Sequence, residues 1–147
     1  MKKIDSLGFQ LKKIDKLILR TLQSRMRTEG FDEVSIVHGY ILGYLYHNSD
    51  RTIYQRDIEK EFGITKSSVA TILKLMEKKG YIERNTEEND GRFKKITLTD
   101  LGIQTHLSTV KIIQSIHKEL EFGISEEEKK VFMSTLNKME QNISRRM

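Results

Sequence analysis

The stretch that decides the fold covers residues 54–102 and reads YQRDIEKEFGITKSSVATILKLMEKKGYIERNTEENDGRFKKITLTDLG. Its first half predicts a short helix over residues 55–62. Gly63 ends this helix, because glycine adopts the left-handed conformation of helix C-termini at little cost. Thr65 begins a second helix over residues 66–79, since a threonine hydroxyl accepts hydrogen bonds from the free amides of a helix N-terminus. Two helices joined by so short a turn are typical of a helix-turn-helix.

The second half of the stretch changes from helical to alternating spacing of apolar residues after Gly80. Residues 81–84 and 93–98 are predicted strands. Between them, residues 85–92 include Asn89-Asp90-Gly91, which is typical of a hairpin turn. A hairpin directly after a helix-turn-helix is a wing, so the sequence predicts a winged helix-turn-helix.

Further helices are predicted on both sides of this stretch. Apolar residues at steps of three and four predict helices over residues 7–26, 35–47 and 101–121. The apolar stripe of the third is Leu107, Val110, Ile113, Ile116 and Leu120. Ser125 and Glu128 predict a capping box at the start of a last helix. Four apolar residues of that helix follow the spacing of a seam for a partner helix: Phe132, Leu136, Met139 and Ile143.

The composition excludes several classes of function. The chain has 147 residues, no cysteine and a net charge of +5. The lack of cysteine excludes disulfides, thiolate metal sites, cysteine nucleophiles and thiol redox switches. We find no signal peptide and no long apolar run, and therefore expect a cytoplasmic protein. Motifs of serine hydrolases, phosphate-binding loops and zinc proteases are not found, so we expect no enzymatic activity.

The second helix of the decisive stretch has two faces of different chemistry. Its apolar residues, Val69, Ile72, Leu73 and Met76, are predicted to face the core. Its polar residues are predicted to face outward, mainly in the first two turns: Lys66, Ser67, Ser68, Thr71 and Lys74. Hydroxyls and lysines near a helix N-terminus suit contacts with phosphates and base edges of DNA. An amphipathic helix with a merely solvated polar face has the same pattern.

Three pieces of the stretch together resemble the MarR family of bacterial regulators. Residues 54–65 are similar to the family's first helix and turn, and residues 68–84 look like its recognition helix running into the first wing strand. Asp90-Gly91-Arg92, Lys94-Lys95 and the run from Leu98 to Gly102 are similar to its wing signature. The resemblance implies a single MarR-like domain over residues 1–147, mainly helical with a small β-wing.

The resemblance also implies that different parts of the chain have different functions. Residues 35–100 form the winged helix-turn-helix region, and the helices of residues 1–30 and 101–147 form a homodimer. In the family the wing arginine enters the minor groove and the preceding aspartate braces it, roles that fall on Arg92 and Asp90. A guanidinium suits this narrow, electronegative groove.

The sequence therefore predicts a transcription regulator that binds a palindromic operator in double-stranded DNA, and more specifically a repressor. Gln55 and Arg56 are predicted to hold backbone phosphates, while Lys94 and Lys95 lie near the minor-groove contact. An alternative remains open: a winged-helix module for protein–protein assembly, without sequence-specific DNA binding.

Effector and metal binding are judged from the second predicted helix and from the histidines. Tyr40, Tyr44 and His47 are spaced to share a helix face and are candidates for a small aromatic or amphipathic effector, although such residues are often packing. No two histidines have the spacing of three or four residues that places both on one helix face. We therefore expect no metal and no cofactor.

Overall fold

The computed structural model describes residues 6–31, 36–87 and 90–146, and of Ile36, Glu87, Asp90, Gly91 and Arg92 it describes the backbone only. The described residues form six helices and two strands, in the order α1 (Leu7–Thr28), α2 (Ile36–His47), α3 (Gln55–Phe62), α4 (Lys66–Lys78), β1 (Ile82–Glu87), β2 (Asp90–Leu98), α5 (Asp100–Leu120) and α6 (Glu126–Ser144). The predicted fold class, mainly helical with a small β-wing, is confirmed. The predicted helix start at Ser35 and the turn residue Asn89 lie outside the described residues.

The chain divides into two compact units, Met1–Ile116 and His117–Met147. The first unit contains one hydrophobic core, to which every helix of that unit and both strands contribute. The fully buried members of this core, by helix and strand order, are Met26, Ile41, Leu42, Ile53, Ile58, Val69, Leu73, Met76 and Ile82. A shared core of this kind fixes α3 and α4 relative to the wing.

The turn between α3 and α4 has the glycine conformation and the threonine cap that the sequence predicts. Gly63 has a φ of +60°, the left-handed conformation that ends α3. The Thr65 hydroxyl accepts the Ser68 backbone N–H at 3.3 Å and so caps α4. At the start of α3, the Asp57 carboxylate accepts the Tyr54 backbone N–H at 2.8 Å.

The wing is an antiparallel pair of strands in which Ile82 lies opposite Leu98 and Thr86 opposite Lys94. Its strands are longer than predicted, because β1 continues to Glu87 and β2 already begins at Asp90. The polar residues there pair through their backbones, which an apolar alternation does not reveal. The pairing shifts after Thr86, as at a β-bulge. On the other side of β2, the Ile96 N–H donates to the Ile53 carbonyl at 2.9 Å.

The junction of the wing with α5 is tightly packed. The Thr99 N–H donates to the Tyr81 carbonyl at 3.1 Å, and the Gly102 N–H donates to the Thr99 hydroxyl at 3.0 Å. A Cβ atom on Gly102 would lie 2.1 Å from the Tyr81 carbonyl oxygen. Residue 102 must therefore be glycine for α5 to approach the chain at this distance.

The predicted apolar stripe of α5 lies mostly on the exposed or half-buried side of the helix. Of its members only Ile116 is buried, whereas Leu107 and Leu120 are 42% and 44% exposed. The buried face instead includes Thr105, His106 and Thr109. The hydroxyls of Thr105 and Thr109 donate to carbonyls one turn earlier, both at 2.7 Å, which removes most of the cost of burying them.

The second unit consists of the end of α5 and of α6. The predicted capping box is confirmed: the Ser125 N–H donates to Glu128 at 2.8 Å, and the Glu128 N–H donates to the Ser125 hydroxyl at 3.1 Å. The Lys129 ammonium pairs with Glu121 at 2.6 Å and with Glu126 at 3.2 Å. No residue of α6 is buried. Among the described helices of both units, none is long and apolar enough to cross a membrane.

Candidate nucleic-acid interface

Helix α4 presents one polar face to solvent. Its buried residues are Val69, Leu73 and Met76, with Ile72 half-buried against them. The five residues predicted to face outward are all exposed: Lys66, Ser67, Ser68, Thr71 and Lys74. The structure thus agrees with the prediction of which α4 residues face the core and which face solvent. The exposed face has the length and chemistry of a helix that fits a major groove.

The hydroxyls at the start of α4 form local hydrogen bonds that set their positions. The Thr65 hydroxyl donates to Ser68 Oγ at 2.9 Å, and the Thr71 hydroxyl donates to the Ser67 carbonyl at 3.0 Å. Each hydroxyl oxygen has two lone pairs, and these bonds leave acceptor capacity on Ser68 and Thr71. Their oxygens can therefore accept from the exocyclic amines of bases.

A groove of about 380 Å³ lies between the first turns of α3 and α4 and the wing. The groove is bounded by four cations, one carboxylate, two aromatic rings, an amide and an isoleucine: Arg56, Lys66, Arg84, Lys94, Glu59, Tyr54, Phe93, Gln55 and Ile96. The Gln55 side-chain amide donates to the Lys66 carbonyl at 3.3 Å and joins α3 to α4 at the groove floor. The excess of positive charge suits a polyanion such as the DNA backbone.

Arg56 packs against two aromatic side chains at the edge of this groove. Its guanidinium carbon is 5.1 Å from the ring centroid of Tyr54 and 4.9 Å from that of Phe93. The two rings are themselves 6.1 Å apart with an angle of 63° between their planes. Because Tyr54 precedes α3 and Phe93 belongs to β2, this cluster joins the helix-turn-helix to the wing.

A second contact joins α4 to the wing. Arg84 of β1 donates from Nε and Nη2 to the two carboxylate oxygens of Glu77, at 3.1 and 3.2 Å. This hydrogen bonding is the main reason why the pKa of Glu77 lies below its ordinary value. The planar, two-point geometry fixes the direction of the wing base relative to α4.

The predicted wing residues are separated by the structure. Lys94 lines the groove beside Arg84, but Lys95 lines a different groove of about 590 Å³, together with residues 45–46 and 48–53. Neighbouring residues of a strand point to opposite faces, which separates these two lysines. The backbones of Asp90 and Arg92 belong to β2, and their side chains lie outside the described residues.

The three candidates for effector binding contact different parts of the protein. Tyr40 is 63% exposed. Tyr44 packs edge-on against Phe62 of α3 at 5.8 Å, and its hydroxyl accepts from Arg51 at 2.7 Å. His47 instead lies beside His106 of α5, with 5.7 Å between their ring centroids. The structure shows no single cluster that contains all three.

His47 and His106 lie next to each other although they belong to different helices, α2 and α5. Spacing along one helix therefore does not reveal this pair. The Tyr46 ring is 4.7 Å from that of His106. Burial, and secondarily the nearby His47, lowers the pKa of His106. Within residues 6–31, 36–87 and 90–146, no group of three or more His, Asp or Glu side chains is arranged to hold a metal ion.

The sequence analysis missed four residues of this interface: Tyr54, Glu77, Arg84 and Phe93. Each contributes to the contacts between the helix-turn-helix and the wing. The contacts between Glu77 and Arg84 and between Tyr54 and Phe93 span 7 and 39 positions of the sequence. The signal in the sequence was an aromatic residue, Phe93, among the basic residues of the predicted second strand.

Comparison with known proteins agrees with this architecture. A family model described as MarR family matches residues 33–92. Two HTH-type transcriptional regulators of Bacillus subtilis (strain 168) are similar along most of their length. YwhA is 30% identical over 134 residues, covering 87% of this chain and 93% of its own, and YdgJ is 29% identical over 136 residues, covering 92% and 78%.

Solved structures of similar fold are also known. A complex of MepR from S. aureus with DNA is 25% identical, with a TM-score of 0.75, and the match covers 94% of this chain and 98% of MepR. The heme sensor PefR from Streptococcus agalactiae, solved with heme, is 22% identical with a TM-score of 0.78 and 95% coverage of both chains. Both share the winged-helix fold described above.

Proposed function

The chain belongs to the MarR family of DNA-binding transcription regulators, and on that premise we propose that it is a homodimeric repressor of a palindromic operator. The observation that carries this proposal is the exposed polar face of α4 beside a positively charged groove. The relatives it matches are transcriptional regulators rather than enzymes.

In the proposed complex α4 enters the major groove. Its outward residues read or anchor there: Lys66, Ser67, Ser68, Thr71 and Lys74. Gln55 and Arg56 hold backbone phosphates from the start of α3. Arg92, braced by Asp90, enters the minor groove, with Lys94 and Lys95 near it. The existence of a complex of the similar protein MepR with DNA supports DNA binding by this fold.

The proposal of a dimer is supported by exposed apolar residues at both ends of the chain. In the first unit, α1 exposes Leu7, Leu11, Ile14 and Leu17. In the second unit, α6 exposes Val131, Phe132, Met133 and Ile143. Monomeric proteins seldom expose so many large apolar residues on one element. In the proposed division, residues 1–30 and 101–147 form the dimer and residues 35–100 contact DNA. Its two recognition helices then reach half-sites about 34–36 Å apart.

The proposal also includes release of DNA by a small aromatic or amphipathic effector. Tyr40, Tyr44 and His47 are its candidate contacts. A screen of such compounds by thermal shift tests it, because a ligand that binds the folded protein raises Tm. A compound that acts as proposed also weakens operator binding.

Selection of bound sequences from random double-stranded DNA tests the proposed function. We expect a palindromic consensus whose half-sites are one helical turn apart. A consensus without two-fold symmetry contradicts the homodimeric mode of binding. No enrichment over bulk competitor DNA contradicts the proposed function and favours the protein–protein assembly module.

A further inference from the structure

We propose that Tyr54 and Phe93 are positioning residues that hold Arg56 ready for a DNA phosphate, an inference that rests on the proposed function. The three side chains are called the aromatic clasp below. Nothing in the sequence pattern connects them, because Phe93 is 39 positions from Tyr54. The structure brings both rings within about 5 Å of the Arg56 guanidinium carbon, at 5.1 and 4.9 Å.

The chemistry of the clasp leaves Arg56 able to bind an anion. An aromatic face attracts a cation through its quadrupole, whereas a carboxylate occupies the N–H donors of a guanidinium. Among the described residues no carboxylate forms an ion pair with Arg56. Its donors therefore stay available for phosphate oxygens while its position is restricted.

The restriction matters because an unrestrained arginine side chain loses conformational entropy when it is fixed. A side chain that is already held loses less of it on binding DNA. The clasp also spans two elements, since Tyr54 lies at the start of α3 and Phe93 on β2. Holding Arg56 therefore also restricts the wing relative to the helix-turn-helix.

The position of the clasp agrees with a contact to the DNA backbone. It borders the groove of about 380 Å³ in which Lys66, Arg84 and Lys94 add further positive charge. Arg56 is exposed, and Phe93 is 41% exposed although it is apolar. Core packing does not explain why the Phe93 ring is exposed, whereas its contact with the Arg56 guanidinium does.

A double-mutant cycle tests the clasp. The affinity of wild type, Arg56→Ala, Phe93→Leu and the double variant for the selected operator is measured by fluorescence anisotropy. Phe93→Leu keeps an apolar side chain of similar size but removes the π-face. We expect it to weaken binding about two- to fivefold in the wild-type background. In the Arg56→Ala background we expect no further loss, because the cation that the ring holds is gone.

Two further variants separate positioning from general damage. Phe93→Tyr keeps the aromatic face and is expected to restore wild-type affinity. Lys60→Ala removes the same charge from α3 outside the groove and is expected to leave the effect of Phe93→Leu unchanged. Thermal unfolding of each variant establishes that it is folded, and the exposure of Phe93 makes a large loss of stability unexpected.

The outcomes are distinguishable. If Phe93→Leu weakens binding by the same factor with and without Arg56, or if Phe93→Tyr binds no better than Phe93→Leu, the clasp is wrong while the proposed function stands. If wild-type protein prefers no DNA sequence, the proposed function is wrong, and this inference is overturned with it.

Discussion

Gly102 shows how one residue fixes the position of a whole helix. The backbone of α5 passes so close to Tyr81 that a Cβ atom at position 102 would be 2.1 Å from the Tyr81 carbonyl oxygen. That carbonyl also accepts the Thr99 N–H, so it cannot move aside without breaking a hydrogen bond. The glycine in this part of the sequence therefore has a packing role next to the wing.

We predict that Gly102→Ala destabilises the protein by about 3 kcal/mol, as overpacking against backbone does. Urea unfolding followed by circular dichroism measures this. Gly39→Ala is the matched control, because Gly39 is also helical and its added Cβ meets no atom within 4 Å. Alanine there is expected to raise stability by about 0.5–1 kcal/mol. Equal effects of the two substitutions would contradict the role given to Gly102.

Arg92 is the residue whose role depends most on the sequence alone, since its side chain lies outside the described residues. We predict that Arg92→Ala weakens operator binding by about 1–3 kcal/mol. The dimer should remain intact, because Arg92 belongs to the wing and not to the proposed dimerisation helices. A gel-shift titration measures the affinity. An unchanged affinity would remove Arg92 from the interface.

Lys74 lies on the exposed face of α4, and its prediction concerns how DNA binding depends on salt concentration. If it neutralises a phosphate, its removal reduces the number of counterions released on binding. We predict that Lys74→Ala weakens binding and lowers the slope of log Kobs against log salt concentration by about 0.9. Lys130→Ala, on α6, removes the same charge outside the interface and should leave the slope as it is. An unaltered slope in Lys74→Ala would mean that this lysine contacts no phosphate.

At the level of elements, α3 and α4 were predictable because each carries its own start and stop signals. Gly63 ends one helix and Thr65 caps the next, and both do so by local chemistry. The wing was only partly predictable. Its outer residues pair through backbone groups, whereas the prediction depended on apolar side chains.

The buried face of α5 could not be predicted from its apolar stripe. The stripe does not include Thr105, His106 and Thr109, and its spacing does not distinguish packing in the core from packing against a partner. In the structure the threonine hydroxyls bond to their own helix, which permits burial. The clasp around Arg56 and the ion pair of Glu77 with Arg84 were not predictable, because they join residues that only the fold brings together.

The contact between α2 and α5 gives a pH-dependent prediction. Burial next to Tyr46 and His47 lowers the pKa of His106 below its ordinary value of 6.5. Below pH 6.5 the unfolded chain then binds a proton that the folded chain still rejects, so acid favours unfolding. We predict that Tm falls between pH 7.5 and pH 5.5, and that His106→Phe reduces this fall. An identical fall in His106→Phe would show that His106 does not contribute.

At the level of the whole molecule, the helices at the two ends of the chain expose apolar side chains that the hydrophobic core does not cover. Helix α6 has no buried residue, and its seam residue Phe132 is 55% exposed. At the other end, Leu11 and Ile14 of α1 are 38% and 43% exposed. The proposed homodimer would cover both surfaces at once, and it would also supply the second recognition helix for the proposed palindromic operator.

We therefore predict that Phe132→Glu weakens the dimer more than 100-fold, since a charge buried without a partner costs about 3–5 kcal/mol. Lys130→Glu introduces the same carboxylate about 200° away around the helix and should leave the dimer intact. Sedimentation equilibrium measures both. The monomeric variant should bind a single half-site as wild type does but lose the extra affinity for the full palindrome, because two linked half-sites bind with a high effective concentration. If Phe132→Glu stays dimeric, or if it keeps full affinity for the palindrome as a monomer, the seam of α6 is not the surface that couples the two halves.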